Sequence, residues 1–200
     1  MSESTNTSTI RRTARIAVLG AVSFVLMMIE FPLPFVAPPF YKLDFSELAV
    51  MIGGFAMGPG AACMIEGIKV LLNLLFQGTD TMFVGEAANF LIGCAFAVPA
   101  SMIYHRCKTK ANAIKGLVCG TLVMTLMGIV FNYFVLLPAY SYFYHLDLNI
   151  IIGMGAAIFP FIDTKLKFVI ACVTPFNLIK GTIISILTVV LYKRISPLLH

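Results

Sequence analysis

The segment Thr174-Pro-Phe-Asn-Leu-Ile-Lys-Gly181, which continues as an apolar run to Tyr192, sets the reading of the whole chain. Thr174 is a candidate N-cap and Pro175 suits a first helical position, where its missing N–H costs nothing. The run behind them is long enough for a helix to cross a bilayer, for which about 20 residues are needed. An amide and an ammonium sit inside it. Asn177 and Lys180 are three residues apart and therefore share one helical face.

Working outward, the rest of the chain has the same character. Of 200 residues 60% are hydrophobic and only 12% charged, and the mean hydropathy is +0.95, outside the range of water-soluble domains. Further apolar stretches run over Ile16–Ile29, Phe45–Met57, Ala61–Phe76, Ala87–Tyr104 and Ile114–Leu137. Phe45–Met57 is short for a bilayer and ends at the turn signal Gly58-Pro59-Gly60. Backbone polar groups facing lipid are satisfied within a helix, so each stretch is expected to be helical. The expected fold is an all-α integral membrane protein of six transmembrane helices. Residues 1–10, polar and rich in Ser and Thr, are expected to be a disordered cytoplasmic tail, and 11–195 a single six-helix substrate-binding domain.

Basic residues set the orientation. Arg11, Arg12 and Arg15 precede the first span, Arg106, Lys108, Lys110 and Lys115 separate the fourth and fifth, and Lys193 and Arg194 follow the sixth. Six spans place all three clusters on one side, which makes that side and both termini cytoplasmic. These residues lie at the ends of apolar runs rather than in a patch interleaved with aromatics, which argues against nucleic acid as a partner. The five cysteines show no CxxC spacing and read as small apolar residues. The proline-rich 31–42 stretch and the 138–173 loop, with its short apolar segment Ile150–Ile162, are expected to be structured outer loops capping a ligand pocket.

Polar groups at membrane depth are costly and mark function. Asn132, in Phe131-Asn-Tyr-Phe134, lies near the outer end of the fifth span, at a depth similar to that of Asn177 and Lys180. Two amides and an ammonium suit the edge of a planar polar heterocycle, and neighbouring Phe and Tyr rings suit its faces. The competing reading makes the asparagines bridges between helices. Glu66, Lys69 and Asn73 share a face of the third span, where Glu66 and Lys69 could form a self-satisfied pair. In the first span Ala17 and Ala21 make a small-xxx-small step, extended by Gly20, against which another helix could pack.

Several of these stretches resemble a known family in sequence and order. They are Pro32-Leu-Pro-Phe-Val-Ala-Pro-Pro-Phe-Tyr-Lys-Leu-Asp-Phe-Ser-Glu47, Gly53-Gly-Phe-Ala-Met-Gly-Pro59, Ala88-Asn-Phe-Leu-Ile-Gly93, Asn132-Tyr-Phe-Val-Leu-Leu-Pro138 and Pro175-Phe-Asn-Leu-Ile-Lys-Gly181. The family is the riboflavin-specific S-component of energy-coupling factor (ECF) importers, and the resemblance covers roughly residues 10 to 195. It implies six helices that bind riboflavin, or a related flavin such as its monophosphate, from outside. It further implies that Asn132, Asn177 and Lys180 contact the isoalloxazine ring and that the first loop, with Phe40, Tyr41, Leu43 and Asp44, closes the pocket. The Ala17–Ala21 face would dock on a transmembrane coupling subunit, and two ATPase subunits would supply energy. Riboflavin is then cargo, and no cofactor is implied. Glu66 departs from the family pattern, where an apolar residue is expected beside the lysine matched by Lys69.

The chain has no G-x-x-x-x-G-K-[ST] phosphate loop, so it does not hydrolyse ATP by that route. It also has no HExxH and no Ser/His/Asp arrangement that would make it a membrane enzyme. The alternative to an ECF subunit is a stand-alone secondary transporter of a small planar vitamin-like solute, a class in which internal repeats and broken helices are common. No convincing internal repeat is found here.

Overall fold

The computed structural model describes residues 2–79, 81–143 and 147–199, and side chains between 9 and 192. The described chain is helical except for one two-residue hairpin. α1 (Ser2–Met27) is followed by β1 (Phe31–Pro32) and β2 (Lys42–Leu43), then by α2 (Ser46–Met57), α3 (Pro59–Gln77), α4 (Val84–Arg106) and α5 (Lys110–Phe131). α6 (Leu137–Phe143), α7 (Leu148–Ala156), α8 (Lys165–Phe168) and α9 (Thr174–Leu199) complete it. Four helical stretches are long and apolar enough to cross a membrane: Pro59–Gln77, Val84–Arg106, Lys110–Phe143 and Lys165–Tyr192. Their outer faces carry exposed Leu71, Leu75, Val118, Leu122, Leu126, Ile186 and Val190, a surface suited to lipid rather than to water.

α2 explains why one apolar segment is so short. Its 12 residues span only about 18 Å, yet it packs against α1, α3, α4 and α9 at the centre of the bundle. Almost all of its side chains are buried, so it faces protein rather than lipid. Gly58, at φ 98°, is the single link to α3, and Pro59 opens that helix. A left-handed link of this kind is a glycine position.

Two sequence expectations need correction, and both concern proline. Thr174 is not an N-cap: it lies at φ −62° and ψ −56° inside a helix that begins at Lys165. The cap is Thr164, whose side chain accepts from Lys167 N at 3.3 Å. Pro175 is therefore interior. The helix tolerates it by opening into one π-helical turn over Val169–Val173, where Thr174 N donates to Val169 O instead of to the carbonyl four residues back. The Lys110–Phe143 stretch repeats the device. Asn132–Leu136 is a π-turn, Leu137 N donates to Asn132 O, and Pro138 follows. In both cases the π-turn starts six residues before the proline, whose ring would clash with the carbonyl four residues behind it in a regular helix. The 138–173 connection is accordingly shorter than expected, because the first long helix persists to Phe143, the short α7 lies between, and the next long helix begins at Lys165.

Smaller departures occur in the first span and loop. α1 takes in residues 2–10, which the sequence reading expected to be a disordered tail: once an apolar helix has nucleated, each added residue gains a backbone hydrogen bond. The proline-rich loop is held by an antiparallel pairing of Phe31 with Leu43 and Pro32 with Lys42.

Apolar packing forms two layers. The inner layer centres on Phe55, Phe96, Tyr104, Leu117 and Ile184. The outer one centres on Leu43, Leu137, Phe168, Val173 and Phe176. Buried charged groups collect near the N-terminus of α2, where the helix dipole favours the carboxylates of Asp44 and Glu47.

Candidate functional site

A cavity of about 180 Å³ lies against the N-terminal end of α2, lined by Phe40, Tyr41, Asn89, Asn132, Asn177 and Lys180 among others. It adjoins a space of about 540 Å³ that shares Phe40, Lys42, Asn89, Tyr140 and Lys180 and adds Asp44. Aromatic rings form the walls. Tyr41 stands 4.7 Å from Phe40 and 5.6 Å from Phe176, centroid to centroid, and Phe40 meets Tyr140 edge-on at 6.1 Å.

The π-turns place the amides. Asn132 opens the first of them, and Asn177 and Lys180 follow the second by one helical turn or two. Among the described residues, neither asparagine hydrogen-bonds to another transmembrane helix. Asn132 Nδ2 donates to Gly128 O at 2.8 Å and Asn177 Nδ2 to Val173 O at 2.9 Å, each within its own helical stretch. Asn132 Oδ1 accepts from the Tyr41 hydroxyl at 2.5 Å, which ties the first loop to the Lys110–Phe143 stretch. The α5–α9 approach is tight here: a Cβ on Gly128 would stand 2.7 Å from Asn177 Nδ2.

Lys180 has a partner 136 positions away. Its Nζ donates to Asp44 Oδ2 at 2.9 Å, with both side chains largely buried. Asp44 Oδ1 accepts from the Ser46 amide at 2.8 Å and from the Ser46 hydroxyl. Burial alone would push the Asp44 carboxyl up. The ammonium groups of Lys180 and Lys69 and the donors on Ser46 and Lys180 outweigh it and hold the carboxyl at about 2, below its ordinary 3.8. Burial, with Tyr140 and Cys172 nearby, pushes the Tyr41 phenol well above its usual value, so it stays a donor.

Of the sequence-derived candidates, Asn132, Asn177, Lys180, Phe40 and Tyr41 line the cavity and Asp44 lines the adjoining space. Leu43 does not. Its side chain is fully buried in the outer apolar layer, so it anchors the loop. Residues not singled out as candidates also line the cavity, notably Glu47, Asn89, Tyr140 and Phe176. Asn89 carried the same signal as Asn132, a polar side chain in an apolar run. Behind them Lys69 Nζ reaches Glu47 Oε1 at 2.9 Å, Asn89 Oδ1 at 2.9 Å and Glu66 Oε1 at 2.5 Å. Asn73 lies apart, in a separate recess with Gln77 and Glu86.

On α1, Ala17 and Ala21 are exposed while Gly20 is buried. A Cβ on Gly20 would strike Ile68 of α3, the nearest atom at 2.5 Å. Gly20 therefore belongs to the internal face, and the exposed small-residue step is Ala17–Ala21 alone.

Lipid-compatible outer faces around a walled polar cavity define a multi-pass membrane protein that holds a small solute. The sequence pattern of the family described as "ECF transporter, substrate-specific component" matches residues 11–192. The chain belongs to that family. It is 38% identical over 190 residues to the riboflavin transporter RibU of Staphylococcus aureus (strain TCH60), covering 94% of this chain and 92% of that protein. It is 30% identical over 190 residues to the riboflavin transporter FmnP of Bacillus subtilis (strain 168), covering 94% and 93%. A solved structure, described as "Structure and mechanism of the S component of a bacterial ECF transporter", matches with a TM-score of 0.74 at 37% identity, covering 96% of this chain and 98% of its own.

Proposed function

We propose that this chain captures riboflavin from outside the cell and is the substrate-binding subunit of an ECF-type importer driven by partner ATPase subunits. One observation carries the reading. In a chain similar to riboflavin transporters, two amides and an ammonium converge on one cavity with aromatic walls. Asn132, Asn177 and Lys180 serve the polar edge of the isoalloxazine ring, and Phe40, Tyr41, Tyr140 and Phe176 cover its faces. Asp44 orients Lys180. Leu43 seats the loop without touching the ligand.

The wider arrangement follows from the same reading. α1 and α2 join the four long helical stretches to make six spans, with both termini and the 106–110 connection in the cytoplasm. The exposed Ala17–Ala21 step meets a transmembrane coupling subunit, because small side chains let a partner backbone approach closely. The test is to purify the chain alone and titrate riboflavin, following quenching of flavin fluorescence. Saturable binding at one site per chain is expected; no binding by the folded chain overturns the proposal.

A further inference from the structure

Five ionisable side chains form one buried network: Asp44, Glu47 and Glu66 against Lys69 and Lys180. Fully ionised, the set carries three negative charges and two positive, an excess of one in a largely buried region. Glu66 and Lys69 have no solvent exposure, and the side chain of Glu47 has 3%. An unbalanced buried charge is removed by a proton or a counter-ion.

Geometry identifies where the balance is restored. Asp44 is committed to Lys180 and to two donors on Ser46. Glu47 lies between two ammonium groups, Lys69 at 2.9 Å and Lys180 at 4.0 Å. Glu66 has Lys69 alone among the described cations. Its other surroundings are the Gly93 backbone, against which the carboxyl packs so closely that a Cβ would collide with it, and the Cys63–Cys94 thiol pair. The Glu66 and Glu47 carboxyls are gathered on one ammonium, Lys69 Nζ, at 2.5 Å and 2.9 Å. Glu66 Oε1 and Glu47 Oε1 have Lys69 Nζ, but Glu47 Oε2 and Glu66 Oε2 have no hydrogen-bond donor among the described residues. Two buried carboxyl groups held on one ammonium, each with an oxygen that lacks a donor, are accommodated when one holds a proton that the other accepts.

We infer that Glu66 and Glu47 share a single proton, donated from Glu66, and that this neutral–anionic pair, clamped by Lys69, positions the cavity-lining Glu47 and Asn89 for ligand capture. With that proton the network balances, two carboxylates against two ammonium groups. Without it a second negative charge turns on Lys69, competes for its contacts with Glu47 and Asn89, and loosens the cavity wall. The groups facing the pair are Asp44 and Ser46 before and at the start of α2, Lys69 and Cys63 on α3, Asn89 and Cys94 on α4, and Lys180 on α9. Glu66 is thus a positioning residue, and its effect on binding rests on the riboflavin reading above.

The sign follows directly: affinity is full while the pair keeps its proton and falls as rising pH removes it. Infrared spectra of the purified chain should show a protonated-carboxyl C=O band that shifts in D2O and is absent from Glu66→Gln. Riboflavin affinity of the wild type should fall on the order of tenfold at alkaline pH. Glu66→Gln, whose amide can still donate to Glu47, should keep the neutral-pH affinity and lack that fall, which also controls for titration of the ligand. If Glu66→Gln does not fold, the wild-type band must fade with the same midpoint as the affinity. A wild type without the band, or a Glu66→Gln variant with an unchanged alkaline fall, overturns the inference. A wild type that shows the band but does not bind riboflavin contradicts the proposed ligand and leaves the shared proton standing.

Discussion

At the scale of the residue, polar groups in apolar runs were legible and their long-range partners were not. Asn132, Asn177 and Lys180 stand out because a bare amide or ammonium at membrane depth is costly. Nothing in the order of residues announces that Lys180 holds Asp44, because their contact depends on tertiary packing. The same limit applies to Glu66: its i,i+3 pairing with Lys69 is a local feature, whereas Glu47 and Gly93 reach it through the fold. The Asp44 pair carries a prediction. A carboxyl held at about 2 stabilises the fold fully above its ordinary 3.8, and the contribution is lost as pH falls between those values. Asp44→Asn should lower stability by roughly 3 kcal/mol at neutral pH, the cost of taking from a buried ammonium the nearer of its two carboxylates. The gap from wild type should narrow as pH approaches 2. Melting temperatures across that range check it, and a constant gap would count against the pair.

At the scale of the element, the apolar runs located the helices, and the prolines misled at their ends. Pro175 after Thr174 has the composition of a helix start. It reads as an interior residue only when the π-turn at Val169–Val173 is known, and that turn depends on packing rather than on a local signal. The two π-turns set the rotation of the helix beyond each proline, and Asn132, Asn177 and Lys180 sit where that rotation matters. Pro175→Ala restores an N–H and removes the clash that holds the turn open. It should therefore leave melting temperature unchanged or higher while riboflavin affinity drops on the order of tenfold, about 1.4 kcal/mol. Wild-type affinity in this variant would detach the π-turn from the site. On α1, Ala17→Trp and Ala21→Trp alter only the exposed face. Binding by the isolated chain should survive and cellular uptake should be lost, whereas Gly20→Trp should prevent folding by colliding with Ile68. Normal uptake in both alanine variants would remove the docking role from this face.

At the scale of the molecule, composition and charge clusters were sufficient to read a helical membrane protein, because lipid leaves the backbone few options. What they could not show is how a 12-residue segment such as α2 fits: it is sheathed by four other helices, so its length need not match the bilayer. The proposed topology is checked with single cysteines in a cysteine-free background. An impermeant reagent applied from outside should label position 161, where Phe161 is exposed, and should not label position 110; the reverse pattern would invert the orientation. The claim that unites the scales is that two amides and one ammonium, brought together from the fifth and sixth proposed spans, hold the edge of a flavin ring. Each lost hydrogen bond should cost about 1–3 kcal/mol, a roughly tenfold to hundredfold weakening. The decisive measurement is riboflavin affinity for Asn132→Ala, Asn177→Ala and Lys180→Ala, with melting temperature recorded in parallel. Weakened binding in folded variants is the expected result, and wild-type affinity in all three would contradict the account.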